Sequence, residues 1–214
     1  MDTIEKLRAY WEKEYTRVDT PFDVEQPDEW IAALEKSGKI LGHVLDSGCG
    51  PGRTAIYLSR HGYRVTGVDI SGHAIERAQE KAAQAGCDAH FICSDMCGLS
   101  GYDGEFDTVI DIGCLHSLFD EGSRQDYAAS LHRVCREGAV VYLRAISDTN
   151  MKRKNVSGKC GIPALSENDV RKAFEPGWEV RQLEEREIDL LTDHGYRKAH
   201  CWFAEMVRLA SQGS

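Results

Sequence analysis

The 214-residue sequence predicts an α/β fold built on a doubly wound, mostly parallel sheet. Three observations carry that expectation. Short β-branched runs alternate with amphipathic helical patterns between residues 43 and 143, the mark of parallel strands joined by right-handed crossovers. The first run, Val44-Leu45-Asp46-Ser47, passes through three alternating glycines, Gly48, Gly50 and Gly52, into a helical pattern. Near the C-terminus, two extended segments flank a tight turn, which makes them antiparallel neighbours. Seven strands result, with an antiparallel C-terminal strand and a helical cap ahead of the sheet.

The elements follow in order. Residues 3–16 carry Leu7, Tyr10, Trp11 and Tyr15 at near-helical spacing. After the irregular joint Thr20-Pro21-Phe22-Asp23, a second helical pattern runs through Trp30, Ile31 and Leu34 to Gly38. Residues 1–39 precede the first strand and so form a cap. In the core, 40–147, His43–Ser47 is the first strand and Thr54–His61 its helix. Arg64–Asp69 is the second strand, and Ser71 is suited to cap a helix that stops at Gly86. Ala89–Cys93 and Phe106–Ile112 are the third and fourth strands. A helix over Ser123–Arg136 shows Tyr127, Leu131 and Val134 on one face, and Ala139–Leu143 is the fifth strand. Residues 148–165 are polar, with Gly158, Gly161 and Pro163, and read as a surface excursion on the substrate side. Ser166-Glu167-Asn168-Asp169 opens a helix with a capping-box pattern that ends before Pro176. Trp178–Ile188 and Lys198–Leu209 are the last strands, turning at Asp193-His194-Gly195. No repeat or linker divides residues 1–214, which read as one domain.

Composition narrows the function. A net charge of −9, with no long Lys/Arg run, argues against nucleic acid as partner. The N-terminus lacks a signal-peptide pattern, and no apolar run approaches the roughly 18 residues that cross a bilayer. A cytoplasmic protein without membrane contact is expected. Eight cysteines are irregularly spaced with no Cys-x-x-Cys pair, so no metal site is expected and the thiols read as packed or idle. Nothing in the sequence fixes an oligomeric state.

The glycine turn is suited to a small polar ligand at a helix N-terminus. It departs from the dinucleotide fingerprint, because Arg53 stands where the third glycine of Gly-x-Gly-x-x-Gly would fall. Asp46, two residues before Gly48, is awkward for a pyrophosphate but suits a cationic amine. Asp69 ends the second strand, where a carboxylate can accept ribose hydroxyls. Asp95 ends the third and can accept from an adenine amino group. Amine, ribose and adenine in a row describe S-adenosyl-L-methionine.

The chain resembles the class I S-adenosylmethionine-dependent methyltransferases over roughly residues 40–209. The matching segments are Val44–Gly52, Gly67–Ser71, Ser94-Asp95-Met96, Phe106–Ile110, and Leu131–Val134 with Glu137-Gly138. Tyr10-Trp11 and Pro21-Phe22-Asp23 ahead of them further resemble the small-molecule branch near thiopurine, thiol and tellurite-resistance methyltransferases. The resemblance implies a Rossmann-like sheet. It also implies Gly48, Gly50 and Gly52 against the methionine moiety, with Asp46 near its amine. Asp69 is then expected at the ribose and Ile70 beside the adenine. Asp95 and Met96 are expected at the adenine edge, and Ile112 and Gly113 along the methionine.

Transfer to a small nucleophile (S, N or O) by in-line displacement is the expected reaction. His116, just past the fourth strand, is the candidate general base, because an imidazole titrates near neutral pH. Cys114 is placed in the substrate pocket, and Tyr10, Trp11, Tyr15 and Phe22 in a lid. A thiol or other anionic acceptor would need no base. Two alternatives stand beside this reading: a non-catalytic S-adenosylmethionine-binding module and a nicotinamide-dependent oxidoreductase.

Overall fold

The computed structural model describes residues 3–152 and 163–210. Its centre is a seven-stranded sheet in the order β3-β2-β1-β4-β5-β7-β6. The strands are β1 (His43–Ser47), β2 (Arg64–Asp69), β3 (His90–Cys93), β4 (Phe106–Ile112), β5 (Cys135–Ile146), β6 (Trp178–Thr192) and β7 (Gly195–Arg208). The first five pair in parallel, while β7 runs antiparallel to both β5 and β6. The helices are α1 (Thr3–Tyr15), α2 (Glu29–Lys36), α3 (Arg53–Arg60), α4 (Gly72–Ala85), α5 (Glu121–Val134), α6 (Thr149–Lys152) and α7 (Glu167–Phe174).

Both faces of the central strands are covered, and the strand period of two sorts their side chains. Leu45, Val109 and Val141 face one side and pack with Tyr127, Leu131 and Val134 of α5 and Val170 and Phe174 of α7. Their chain neighbours Val44, Ile110 and Tyr142 face the other side, against Ile31 and Leu34 of α2, Leu58 of α3 and Ala78 of α4. Each central strand is therefore apolar at successive positions.

Local chemistry sets the boundaries. Ser71 caps α4 by accepting from the Ala74 N–H, and Gly86 closes it with a left-handed backbone, φ +62°. Ser166 and Asp169 form a reciprocal capping box on α7. Asp120 caps α5, which begins two residues before the expected start, by accepting from the Ser123 N–H. Three elements outrun their apolar pattern. β5 begins at Cys135, directly after α5, and runs to Ile146; Cys135 pairs with Phe106 and Ile146 with Cys201. The β6–β7 hairpin continues to Thr192 and Gly195, so its tip reaches beyond the sheet edge.

The 148–165 segment is not wholly a surface excursion. Asn150 is buried, its side-chain amide donating to Ser147 O at 2.8 Å and His200 O at 2.7 Å. Leu165 is buried beside a bridge to Ser147. The middle of that expectation, including Gly158 and Gly161, lies outside the described residues.

Candidate active site

The carboxyl ends of β1, β2, β4 and β5 open into a cavity of about 980 Å³, roofed by α1 and residues 17–24 and flanked by the hairpin tip. Ligands of open α/β sheets sit at this edge, where the strand order reverses. Here the reversal lies between β1 and β4.

The turn after β1 is held to β2, since Gly48 N–H and Cys49 N–H both donate to Val68 O, at 2.8 and 3.0 Å. Gly48 and Gly50 have φ of +66° and +51°, a backbone that disfavours side chains. The space each would need is taken by the protein itself. A Cβ on Gly48 would lie 2.9 Å from that of Cys114, and one on Gly50 would lie 2.8 Å from the Tyr15 hydroxyl. Gly52, expected against the methionine, is absent from the cavity wall; a Cβ there would meet Ala78 and Phe91. It caps α3 with φ +83° and serves packing between α4 and β3.

Asp46, Asp69 and Asp95 all line the cavity. Asp46 is buried and accepts from Ala55 N–H at 3.0 Å; burial pushes its carboxyl up to about 7. Asp69 Oδ2 accepts from Gly50 N–H and Oδ1 from Ser71 N–H, each at 2.9 Å. Burial raises Asp69 to about 6. Each carboxylate oxygen has two acceptor sites, so Asp69 can still take two hydroxyls. Asp95 caps the short turn Met96–Gly98 through Cys97 N–H. Ile70, Met96, Ile112 and Gly113 complete the expected wall.

Asp111 shapes the turn after β4. It accepts from Cys114 N–H (2.7 Å), Leu115 N–H (3.1 Å) and the Tyr127 hydroxyl (2.8 Å), which also meets Ser47 Oγ at 2.8 Å. The turn brings Cys114 and His116 into the cavity wall. Burial holds the Cys114 thiol well above its ordinary range, so it stays protonated.

His116 differs from the expectation. Its Nδ1 faces the Ile146 N–H at 3.4 Å, which leaves the ring proton on Nε2 in the neutral form. Burial, then the nearby Arg144 guanidinium, lowers it to about 4. A ring so weakly basic, with its acceptor nitrogen turned to the backbone, is a hydrogen-bond donor at neutral pH. The geometry speaks against a general base.

The cap aromatics lie together on the cavity roof. Trp11 stacks on Tyr15 at 5.6 Å and meets Phe22 edge-on at 5.2 Å, while Tyr10 packs edge-on against Trp11 at 5.2 Å. Polar contacts hold this cap down. Glu12 bonds Ser71 Oγ and lies 3.0 Å from His73 Nδ1, and Arg8 donates to Ile70 O at 3.2 Å. Arg77 Nη2 donates to Arg17 O at 2.8 Å, and Arg17 reaches Asp193 on the hairpin at 2.6 Å.

Sequence reasoning missed part of the wall. Asp28, Arg53, Arg144, Asn150 and the hairpin residues Ile188–Thr192 also line the cavity. Arg144 carried the one visible signal, a charge between the apolar run Ala139–Leu143 and Ala145-Ile146.

The donor set fits S-adenosylmethionine. Two buried carboxylates at the wall disfavour their own charge until a cation or hydroxyl pair meets them, and the cofactor's ammonium and ribose supply both.

Comparison with known proteins agrees. A family described as methyltransferase domain matches residues 44–138. An uncharacterized methyltransferase of Schizosaccharomyces pombe is 42% identical over 141 residues, covering 65% of this chain and 97% of the relative. The 2-heptyl-1-hydroxyquinolin-4(1H)-one methyltransferase of Mycobacteroides abscessus is 34% identical over 164 residues, covering 76% of this chain and 70% of the relative. A solved structure, from work on conversion of a disulfide bond into a thioacetal group during echinomycin biosynthesis, superposes with a TM-score of 0.82. It is 32% identical, covering 98% of this chain and 93% of that one. The nicotinamide alternative is thereby set aside: this chain belongs to the class I S-adenosylmethionine-dependent methyltransferases, and S-adenosylmethionine is its cofactor.

Proposed function

We propose that this enzyme methylates a small-molecule nucleophile, and that it does so in the cytoplasm. The observation that carries the reading is the cavity itself. It extends from the Asp69 and Asp95 strand ends past β4 to Arg144, Asn150 and Cys201, beneath an aromatic roof. That shape favours an acceptor small enough to be enclosed with the cofactor over a protein or nucleic-acid surface. The relative that acts on a hydroxyquinolone supports the same choice.

In this reading Asp46 holds the amine of the cofactor, and Gly48, Gly50, Ile112 and Gly113 flank its methionine chain. Asp69 takes the ribose hydroxyls, Ile70 flanks the adenine, and Asp95 with Met96 reads its edge. When bound, S-adenosylmethionine supplies an electrophilic methyl group. The chain's work is alignment and exclusion of water. Charge is lost as a nucleophile meets a cation, so a dry enclosure favours transfer. The faces of Trp11 and Tyr15 suit a sulfonium by cation–π attraction. Orientation within the closed cavity contributes several kcal/mol more.

The test uses methyl-labelled S-adenosylmethionine, an extract of small metabolites, and separate protein and RNA fractions. Label is expected in low-molecular-weight product only, and label confined to protein or RNA would overturn the reading. Asp69→Asn should weaken cofactor binding about tenfold or more, the worth of charge-assisted hydrogen bonds.

A further inference from the structure

We propose that Arg53 and Arg144, joined by His116, form a subsite that binds the methyl acceptor as an anion. The inference rests on the methyl-transfer reading and names the charge of its substrate.

Arg53 opens α3 and Arg144 stands on β5, level with Ile112 of β4. Both line the cavity, with side chains 26% and 15% exposed. Among the described residues, the carboxylate in ion-pair contact with both is Asp28, and the contact is made through one oxygen. Asp28 Oδ2 meets Arg144 Nη1 closely and lies 3.9 Å from Arg53 Nη2. Its Oδ1 is turned to the Trp30 N–H at 3.1 Å, capping α2. Two guanidiniums thus share one carboxylate in a largely enclosed place. An enclosed charge without a counter-charge is costly, and a bound anion would offset it. The fork of a guanidinium also leaves further N–H donors for such a guest.

Other ionisable groups face this pair without cancelling it. Asp46 on β1 is turned to the Ala55 N–H and is reserved, in this reading, for the cofactor's amine. Tyr15 on α1 and Cys201 on β7 are held protonated by burial. His116 is neutral and offers Nε2–H.

The strand order bears on the guest through Arg144, to which Arg53 at the start of α3 is tied by their shared Asp28. Asp69 ends β2 and Asp95 follows β3, on one side of the β1–β4 switch point. Arg144 is on β5, on the other side, where the acceptor space lies. An acceptor held there as a thiolate, phenolate or similar oxyanion has no proton for the chain to remove. That accounts for a cavity whose histidine is arranged as a donor.

The probe is 4-nitrophenol, whose visible band separates phenolate from phenol, titrated into full-length protein with and without S-adenosylhomocysteine. Phenolate should bind at least about tenfold tighter than phenol, the scale of a charge-assisted pair. Arg144→Met should remove that preference while leaving S-adenosylhomocysteine affinity within about threefold, below half of one hydrogen bond to a charged group. Asp28→Asn keeps a capping side chain but removes the competing carboxylate, so it should tighten phenolate binding severalfold. A misfolded variant would not produce that gain. No binding, equal binding of both forms, or a preference that survives Arg144→Met and is unmoved by Asp28→Asn would overturn the proposal. So would a large loss of S-adenosylhomocysteine affinity in Arg144→Met, which would assign the pair to the cofactor's own carboxylate. Failure of the wild type to bind S-adenosylhomocysteine would instead strike the methyl-transfer reading, and the dye preference would still be measurable on the ligand-free protein.

Discussion

At the scale of single residues, Asp46 is the group whose chemistry the cofactor changes most. Burial pushes its carboxyl up to about 7, well above the ordinary carboxylate range, so it takes up a proton far more readily than an exposed aspartate. A cation beside a carboxylate favours the ionised form. Binding of the cofactor's ammonium should therefore expel that proton, and the sign is release. Calorimetric titration of S-adenosylhomocysteine at pH 6.5, in buffers of different ionisation enthalpy, should show release of up to about one proton. Asp46→Asn should abolish it. Proton uptake, or a heat independent of buffer, would place the amine elsewhere. His116 shows the opposite effect of the same physics, because burial disfavours its cation and leaves a donor.

At the scale of elements, α1 is attached through polar as well as apolar contacts. It carries few buried groups, Leu7 and Tyr15, and is fastened at Glu12 and Arg8 to the start of α4. The Ser71 and His73 bonds hold the Glu12 carboxyl below its usual range, so this fastening is present above that range and weakens as pH falls through it. Glu12→Ala should speed amide exchange across residues 3–15 and weaken cofactor binding, with α5 and β4 unchanged. Equal exchange in both proteins would show that α1 is held by its apolar contacts alone.

Elements and site were legible in the sequence to different depths. The bounds of β1, β2 and β4 are those read from their apolar runs, because buried parallel strands leave an unbroken signal. The acids Asp46, Asp69 and Asp95 were legible because each stands at or just beyond the carboxyl end of an apolar run. β5 and the hairpin outran their patterns because pairing with β7 and with each other continues through polar residues such as Arg144, Asp189 and Arg197. The meeting of Asp28, Arg53 and Arg144 was hidden for another reason. They come from α2, α3 and β5, and only the folded sheet brings them together. The glycines were read correctly for backbone and incompletely for space, since Tyr15 and Cys114 occupy what a ligand was expected to fill.

The whole molecule joins these parts into one enclosure. The sheet presents its carboxyl edge, α1 covers it, and the hairpin closes the far wall through the Arg17–Asp193 bond. Among the described residues, no helix is long and apolar enough to cross a membrane. In the proposed reading one cavity seats the cofactor over β1, β2 and β3 and the acceptor beside β5. A crystal structure with S-adenosylhomocysteine tests it most directly. The amine is expected at Asp46, the ribose on Asp69 and the adenine at Asp95. The sulfur should face open space lined by His116, Arg53 and Arg144. A sulfur turned away from those three residues, or a ribose clear of Asp69, would contradict it.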